Sequence, residues 1–235
     1  MKHQNFKIGH TPAILLGEAS ENLYLFLHGQ DGNKEEAETF AEIACPAGWQ
    51  VLGIDLPGHG ERSDMENFFP WAVVPELRQV FDYMKSKYTC IALQANSIGA
   101  WFGMLAFADK PLVQALFVSP ILDMERLIQN MMQWAGVTKE RLQKDRVVST
   151  DFGHTLSWEY LTWVQKHPVT HWSAPTKILY AGQDNLTERS VIDAFVSRFD
   201  CELAVMEDGE HYFHTPEQLA VLKEWERDSL SGAKL

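Results

Sequence analysis

The sequence predicts an α/β fold in which a mostly parallel central sheet is covered by helices on both faces. Three observations lead to this prediction. Short apolar segments alternate with amphipathic segments of helical spacing along most of the chain. Segments such as Leu23–Leu27 are apolar or aromatic at every position, as in strands buried on both faces. The 235 residues, of which 46% are hydrophobic and 22% charged, suffice for one large domain with its own core.

Eight strands and four helices of the core follow from this pattern. The strands are predicted at 6–8, 13–16, 23–27, 50–54, 90–94, 113–118, 177–180 and 202–206. The helices are predicted at 34–44, 76–87, 98–108 and 216–227. Pro75 fits the first turn of the second helix, because an N–H at that position would have no intrahelical partner.

Residues 121–174 interrupt the alternation of strands and helices. They contain no convincing strand, but they have helix-like stretches at 124–134, 139–144 and 158–166. An insertion of this size between core strands is usually functional. We therefore expect a helical cap after the sixth strand, with residues 1–120 and 175–235 forming the core domain. Four of the eight tryptophans lie in this segment: Trp134, Trp158, Trp163 and Trp172. They could bind an apolar ligand, pack the cap onto the core domain, or form a homodimer contact.

The composition argues against several classes of partner. A net charge of -12, from 32 acidic and 20 basic residues, disfavours nucleic acids and anionic membranes. The N-terminus lacks the pattern of a signal peptide, and no apolar run is long enough to cross a bilayer. The three cysteines, Cys45, Cys90 and Cys201, are widely spaced and odd in number, as expected for free thiols in a reducing compartment. We therefore expect a cytoplasmic protein.

The strongest candidate for chemistry is Ser97, in the pentapeptide Ala-Asn-Ser-Ile-Gly at 95–99. This segment lies between a predicted strand and a predicted helix, and the small residues Ala95 and Gly99 allow the sharp turn that exposes a nucleophilic serine. The helix N-terminus favours negative charge, and the backbone N–H of Ile98 is a candidate oxyanion donor. A serine that only caps the helix would have the same local sequence.

The two loops that follow the predicted strands 23–27 and 50–54 are also candidates for the site. The segment His-Gly-Gln-Asp-Gly at 28–32 follows a buried strand, and its glycines allow the backbone to approach a bound group. The N–H of Gln30 is the candidate for the second oxyanion donor, whereas His28 is expected to hold the loop by hydrogen bonds. In the loop Asp-Leu-Pro-Gly-His-Gly at 55–60, His59 is a conceivable base but is expected to be a buried loop residue.

A carboxylate and an imidazole follow the last two predicted strands. Asp184 comes just after the strand at 177–180, and His211 follows the strand at 202–206. The carboxyl ends of parallel strands meet at one edge of the sheet, so both side chains can reach Ser97. A serine hydroxyl needs a base to remove its proton, and the base needs an acid that fixes its tautomer. The three residues occur in the order Ser, Asp, His.

These motifs together resemble the α/β-hydrolase superfamily, specifically its lid-bearing serine esterase and lipase branch. The resemblance covers about residues 23–227 and includes the closing segment His-Tyr-Phe-His-Thr-Pro-Glu at 211–217. It implies that Ser97 forms an acyl-enzyme, that His211 activates first the serine and then a water, and that Asp184 supports His211. It also implies oxyanion amides at Gln30 and Ile98. The chain departs from the family pattern at Ala95, where the first glycine is usual, and at Asn96.

Alternatives remain open inside and outside this site. Asp123 is a second candidate for the acid and His214 for the base. The expected substrate is a small or medium apolar carboxylic ester, but thioester, amide, lactone or carbon–carbon cleavage uses the same residues. A non-catalytic protein that binds a small molecule is a further alternative. No group of residues has the spacing of a zinc site or a nucleotide-binding loop, so we expect neither a metal nor a cofactor.

Overall fold

The structure of the protein, a computed structural model, describes residues 1–231. Its strands are β1 His3–Ile8, β2 Thr11–Leu16, β3 Asn22–Leu27, β4 Gln50–Ile54, β5 Cys90–Asn96, β6 Ala115–Val118, β7 Val147–Ser149, β8 Thr155–Ser157, β9 Thr176–Ala181 and β10 Glu202–Met206. Its helices are α1 Ala37–Ala44, α2 Pro70–Lys85, α3 Ile98–Phe107, α4 Met124–Trp134, α5 Lys139–Asp145, α6 Trp158–Lys166, α7 Arg189–Phe199 and α8 Pro216–Ser231.

Eight of the strands form the central sheet, in the order β1-β2-β4-β3-β5-β6-β9-β10. β2 pairs antiparallel with both β1 and β4, and all the other pairs are parallel. The mostly parallel sheet predicted from the sequence is therefore confirmed. Its parallel strands end at one edge, where the loops that follow β3, β4, β5, β9 and β10 meet.

Helices bury both faces of this sheet. In β3, Leu23, Leu25 and Leu27 pack into a cluster with α2, α3, α7 and the segment between β6 and β9, whereas Tyr24 and Phe26 pack into a second cluster with α1 and α8. Successive strand residues point to opposite faces, so a strand covered on both sides needs apolar side chains at every position. This is why β3 has no polar alternation.

The segment between β6 and β9 has helices where the sequence predicts them, at α4, α5 and α6. The expectation that it lacks strands is wrong, because β7 and β8 form a small antiparallel hairpin. Each of these strands has only three residues, and only the central one of each is buried. Such a short segment has too few alternations to be distinguished from a loop by its sequence. The division into core and cap at residues 121 and 174 stays a prediction.

Two other expectations about helices are corrected by the structure. Helix α2 begins at Pro70, which occupies its first turn. Pro75 lies inside the helix rather than at its start. Either proline would be favourable in the first turn of a helix. Val73 and Val74 pack into the core before Pro75 is reached, and these contacts favour a helix that begins at Pro70. Helix α7 was not predicted; its buried contacts are few, at Ile192 and Phe195. No helix within residues 1–231 is long and apolar enough to span a bilayer.

A carboxyl group on α8 is buried and has no ion pair within residues 1–231. Glu226 is 3% exposed, and its Oε2 atom has no hydrogen-bond partner among the described residues. Burial raises the pKa of this carboxyl from its ordinary value of 4.5 to about 8, and the positive charges of Lys223 and Arg227 offset the effect only in part. Between about pH 4.5 and pH 8 the carboxyl of Glu226 therefore holds a proton in the folded protein but not in the unfolded chain. This difference makes the folding stability depend on pH.

We expect the stability contributed by Glu226 to be greatest below about pH 4.5 and to be lost as the pH rises to about 8. Glu226→Gln cannot ionise, so it should melt close to the parent at pH 5 but higher at pH 9, by on the order of 10 °C. Thermal unfolding across this range tests the prediction, with the exposed Glu224→Gln on the same helix as control. Equal melting of Glu226→Gln and the parent at every pH would contradict it.

Candidate active site

Ser97 occupies the turn between β5 and α3 in a conformation that few residues adopt. Its φ is 50° and its ψ is −122°, whereas the residues on either side belong to a strand and a helix. Non-glycine residues in such regions cost about 1–3 kcal/mol and persist only where the surroundings enforce them. Here the Ser97 N–H donates to the carbonyl of Val118 at 3.0 Å, and the Ser97 carbonyl accepts from the N–H of Ile121 at 3.1 Å. The turn is therefore fixed by the end of β6.

The two glycines beside Ser97 allow this close packing. A Cβ atom on Gly99 would lie 2.6 Å from the carbonyl oxygen of His28 and 2.8 Å from that of Leu27, so no side chain fits there. A Cβ atom on Gly29 would lie 3.2 Å from the Cβ of Ser97. The loop after β3 thus packs directly against the serine. Side-chain bulk at Gly99 would separate α3 from this loop.

The structure brings Ser97, His211 and Asp184 into one chain of hydrogen bonds. Ser97 Oγ lies 2.8 Å from His211 Nε2, and His211 Nδ1 lies 2.8 Å from Asp184 Oδ2. A carboxylate can only accept, so Nδ1 carries the proton and Nε2 is free to accept the serine O–H. This is the arrangement in which a serine hydroxyl loses its proton as it attacks.

The loops that carry Asp184 and His211 are joined by their backbones. The N–H of Gly182 donates to the carbonyl of Met206 at 2.7 Å, and the N–H of Gln183 donates to that of Gly209 at 2.8 Å. β9 and β10 are neighbouring parallel strands, so these bonds extend their pairing beyond the sheet edge. The acid and the imidazole are consequently held at a fixed spacing.

The carboxylate of Asp184 is fully buried, and its charge is balanced by hydrogen bonds. Its Oδ1 accepts from the N–H groups of Leu186 at 2.7 Å and Thr187 at 3.0 Å, while its Oδ2 faces His211. Its side chain is 0% exposed, against 15% for the His211 side chain. A buried charge needs such donors. The same donors fix the direction of the carboxylate towards the imidazole.

The predicted oxyanion amides belong to the loop after β3 and to the first residue of α3. Gln30 belongs to the loop that packs against Ser97, next to Asp31, whose φ of 61° is left-handed. The Gln30 side chain is exposed and lies 3.4 Å from the carboxylate of Asp31. Ile98 is the first residue of α3, so its N–H is one of those that have no intrahelical acceptor. Their role as oxyanion donors stays a prediction.

His28 braces the loop rather than taking part in the serine's hydrogen bonds. Its Nδ1 lies 2.7 Å from the carbonyl of Gly29, and its Nε2 accepts from the N–H of Leu56 at 3.1 Å. Burial lowers the pKa of this imidazole to about 4, so it is neutral near pH 7. His59 is also buried, with Nδ1 2.8 Å from the carbonyl of Pro57. Neither residue contacts Ser97 through a hydrogen bond.

An ion-paired cluster under these loops was missed by the sequence analysis. Asp55, which is fully buried, accepts from the N–H of Lys34 at 2.8 Å, from Lys34 Nζ at 3.0 Å and from the N–H of Glu61 at 3.0 Å. It therefore ties the loop after β3 to the loop after β4. A lysine at the start of the predicted helix 34–44 and an aspartate at the end of the next strand were the only signals. Neither indicates that Lys34 is buried.

The alternative acid and base have other contacts. Asp123 caps α4 by accepting from the N–H of Arg126 at 2.9 Å. His214 is exposed, and its Nδ1 lies 2.9 Å from the carbonyl of Tyr212. Within residues 1–231, no three His, Cys, Asp or Glu side chains are grouped so that they could hold a metal ion. Asp184 and His211 are therefore the pair that meets Ser97.

Comparison with known proteins gives matches among solved structures alone. No protein-family model and no curated protein matches the chain. Est1E from Butyrivibrio proteoclasticus, solved with ferulic acid, is 20% identical with a TM-score of 0.79, and the match covers 98% of each chain. Mouse alpha/beta hydrolase domain-containing protein 10 is 11% identical with a TM-score of 0.81 over 100% of each chain. The Pyrococcus furiosus esterase Pf2001 is 15% identical with a TM-score of 0.68, covering 97% of this chain and 87% of its own.

Similarity at these identities concerns the fold. The strand order, the serine turn after β5 and full-length superposition on these hydrolases agree with one another. The expectation drawn from the sequence motifs is confirmed at this level: the chain has the α/β-hydrolase fold.

Proposed function

We propose that the protein is a serine hydrolase of the lid-bearing esterase type, which cleaves a carboxylic ester of a small or medium apolar substrate. The observation that carries this proposal is the chain of two 2.8 Å hydrogen bonds from Ser97 through His211 to Asp184. A serine that only capped α3 would need none of these contacts, and the Ser97 side chain makes no cap hydrogen bond. The non-catalytic binding protein has no comparable support.

In the proposed reaction, His211 Nε2 takes the proton of Ser97 as Oγ attacks the ester carbonyl. The imidazole becomes an imidazolium, which the buried carboxylate of Asp184 stabilises through Nδ1–H. The imidazolium then protonates the leaving alcohol, and an acyl-enzyme forms on Ser97. Water attacks the acyl-enzyme by the same route in reverse, with His211 again as the base.

The charge on the substrate oxygen in each step needs donors that are already in place. We assign this role to the N–H groups of Gln30 and Ile98, because one belongs to the loop packed on Ser97 and the other begins the following helix. The dipole of α3 adds to the field at this position. Donors fixed before the reaction need no reorganisation, and each is worth about 3 kcal/mol in comparable sites.

A thioester is the second candidate substrate. The thioesterase domain from the curacin biosynthetic pathway is 14% identical to the chain with a TM-score of 0.62, and the match covers 96% of this chain and 99% of that domain. Esters and thioesters react through the same acyl-enzyme. Amides, lactones and carbon–carbon bonds need the same three residues, and no specific contact favours them here.

The remaining proposals concern partners and location. We propose a small-molecule substrate, no cofactor, no nucleic acid and no membrane insertion, in line with the charge of -12. Exposed Trp134 and Phe152 stack edge to face on the segment between β6 and β9, where a homodimer contact is one use for them. A cytoplasmic location suits Cys45, Cys90 and Cys201, all of which are free thiols.

We expect Ser97→Ala to abolish both turnover of p-nitrophenyl butyrate and labelling by a fluorophosphonate probe. The loss of turnover should exceed about 1,000-fold, because the covalent route is removed. Turnover, gel fluorescence and peptide mapping measure the two effects. The control is Ser86→Ala, which changes an exposed serine at the end of α2. Turnover by Ser97→Ala at the parent's rate would show that another group is the nucleophile.

We expect Asp184→Asn to lower kcat by about 10,000-fold, because an amide in this position favours the wrong imidazole tautomer. Asp123→Asn is the matched control: an asparagine still caps α4, and its kcat should stay within about 2-fold of the parent. Circular dichroism and a melting curve establish that both variants are folded. A large loss of kcat in Asp123→Asn, with kcat of Asp184→Asn near that of the parent, would identify Asp123 as the acid and refute the assignment of Asp184.

A further inference from the structure

A buried hydroxyl joins the loop that carries Asp184 to the end of β6. We call residues 182–188, which follow β9, the acid loop. In this loop the hydroxyl of Thr187 donates to the carbonyl of Pro120 at 3.0 Å. Pro120 follows β6, which borders β9 on the side away from β10. Thr187 is 4% exposed, so this hydrogen bond is shielded from water.

The peptide group between Pro120 and Ile121 connects Thr187 to the serine turn. Its carbonyl oxygen accepts from Thr187, and its N–H donates to the carbonyl of Ser97 at 3.1 Å. A peptide group is planar, so a shift of its oxygen moves its N–H as well. The residue before it, Ser119, has a φ of 42°, which a non-glycine residue adopts only where its surroundings enforce it. The direction of this peptide group is therefore set by its contacts.

The same threonine binds the acid directly. The N–H of Thr187 donates to Asp184 Oδ1 at 3.0 Å, on the carboxylate whose Oδ2 holds His211. With the two bonds of the Pro120–Ile121 peptide, a closed ring of five hydrogen bonds results, each 2.8–3.1 Å long: Ser97–His211, His211–Asp184, Asp184–Thr187, Thr187–Pro120 and Ile121–Ser97. We call it the hydrogen-bonded ring.

The sheet alone does not fix the acid relative to the serine. The pairing of β6 with β9 ends at Val118 and Leu179, and Asp184 lies five residues farther along the chain. The backbone bonds of the acid loop to Met206 and Gly209 hold it to the β10 side of the sheet, where His211 follows. The hydroxyl of Thr187 supplies a tie to the opposite side, on which the serine turn rests.

Thr187 has little freedom to move within the hydrogen-bonded ring. Its N–H and its hydroxyl are bonded as described, and its carbonyl accepts from the hydroxyl of Tyr180 at 3.0 Å. Burial raises the pKa of this phenol above its ordinary value of 10, so it remains a donor near neutral pH. A displacement of Thr187 would therefore break at least one buried hydrogen bond, which is unfavourable.

We propose that Thr187 is a positioning residue, whose hydroxyl sets the distance between the acid loop and the serine turn. It thereby keeps His211 Nε2 within hydrogen-bonding reach of Ser97 Oγ. The inference rests on the proposed function, because it assigns a role within the same site. Thr187 acts through Asp184 and the Pro120–Ile121 peptide rather than on the reacting atoms. A misplacement of about 1 Å transmitted in this way can lower a rate by about 100-fold.

The test replaces Thr187 by valine, which has nearly the same shape but cannot donate to Pro120. We expect kcat for p-nitrophenyl butyrate to fall by about 10- to 100-fold with KM within about 2-fold of the parent, because the chemical step and not binding needs the imidazole in place. Thr187→Ser retains the hydroxyl and should keep kcat within about 3-fold of the parent.

The matched control is Thr176→Val, at the opposite end of β9. Thr176 is 5% exposed, and its hydroxyl donates to the carbonyl of Ala174 at 2.8 Å and accepts from Trp172 Nε1 at 2.7 Å. Both valine variants remove a buried hydroxyl from its partners, so both should melt lower than the parent, by about 5 °C. Only Thr187→Val should lose kcat.

A second measurement needs no substrate. The proton on His211 Nδ1, which Asp184 accepts, should give a separate low-field resonance in the proton NMR spectrum, identified by its loss in Asp184→Asn. We expect this resonance to shift or broaden in Thr187→Val, because the carboxylate and the imidazole are no longer held in place. It should stay at the parent's position in Thr187→Ser and in Thr176→Val.

A kcat of Thr187→Val equal to that of the parent or of Thr176→Val would overturn the inference. So would an unchanged low-field resonance in Thr187→Val. An equal loss of kcat in Thr187→Ser and Thr187→Val would also overturn it, because the shape of the side chain and not its hydroxyl would then matter. These outcomes are distinct from failure of the proposed function, in which the parent does not hydrolyse p-nitrophenyl butyrate. In that case the resonance still reports whether Thr187 positions the imidazole.

Discussion

The left-handed backbone at Ser97 is the constraint on which the rest of the site depends. Its φ of 50° turns the chain from strand to helix within one residue, and this is what directs the hydroxyl out of the sheet edge. The turn is held by hydrogen bonds to Val118 and Ile121, and it is possible only because Gly99 leaves room for the carbonyls of Leu27 and His28. Ser97, the loop after β3 and the end of β6 are consequently one rigid unit.

A separate set of hydrogen bonds positions the imidazole of His211 next to Ser97. The loops after β9 and β10 are bonded backbone to backbone, and the Asp184 carboxylate is fixed by two N–H groups before it meets His211. The buried Asp55–Lys34 pair plays a similar part beneath the loop that contains Gln30. Charges are buried at both places, and each is matched by donors whose positions are set by strand ends. Preorganisation of this kind is what lowers the barrier of acyl transfer.

The sequence predicts the strands well, and it places Ser97, Asp184 and His211 shortly after strand ends, for a physical reason. Strands buried on both faces need continuous apolar runs, and parallel strands end at one edge, so residues just past Asn96, Ala181 and Met206 must converge. Other features depend on tertiary contacts. The hairpin β7–β8 is too short to have a pattern, and the start of α2 at Pro70 is chosen by packing.

The central claim is that the acyl group of the substrate passes through Ser97. Rapid acid quenching of the protein during turnover of p-nitrophenyl butyrate, followed by peptide mass mapping, tests it most directly. The account predicts a butyryl group on Ser97, formed as fast as the first turnover and lost at the steady-state rate. The claim would be contradicted if a butyryl group formed with these kinetics on another residue. It would also be contradicted if a burst of nitrophenol were seen but no acylated peptide were found.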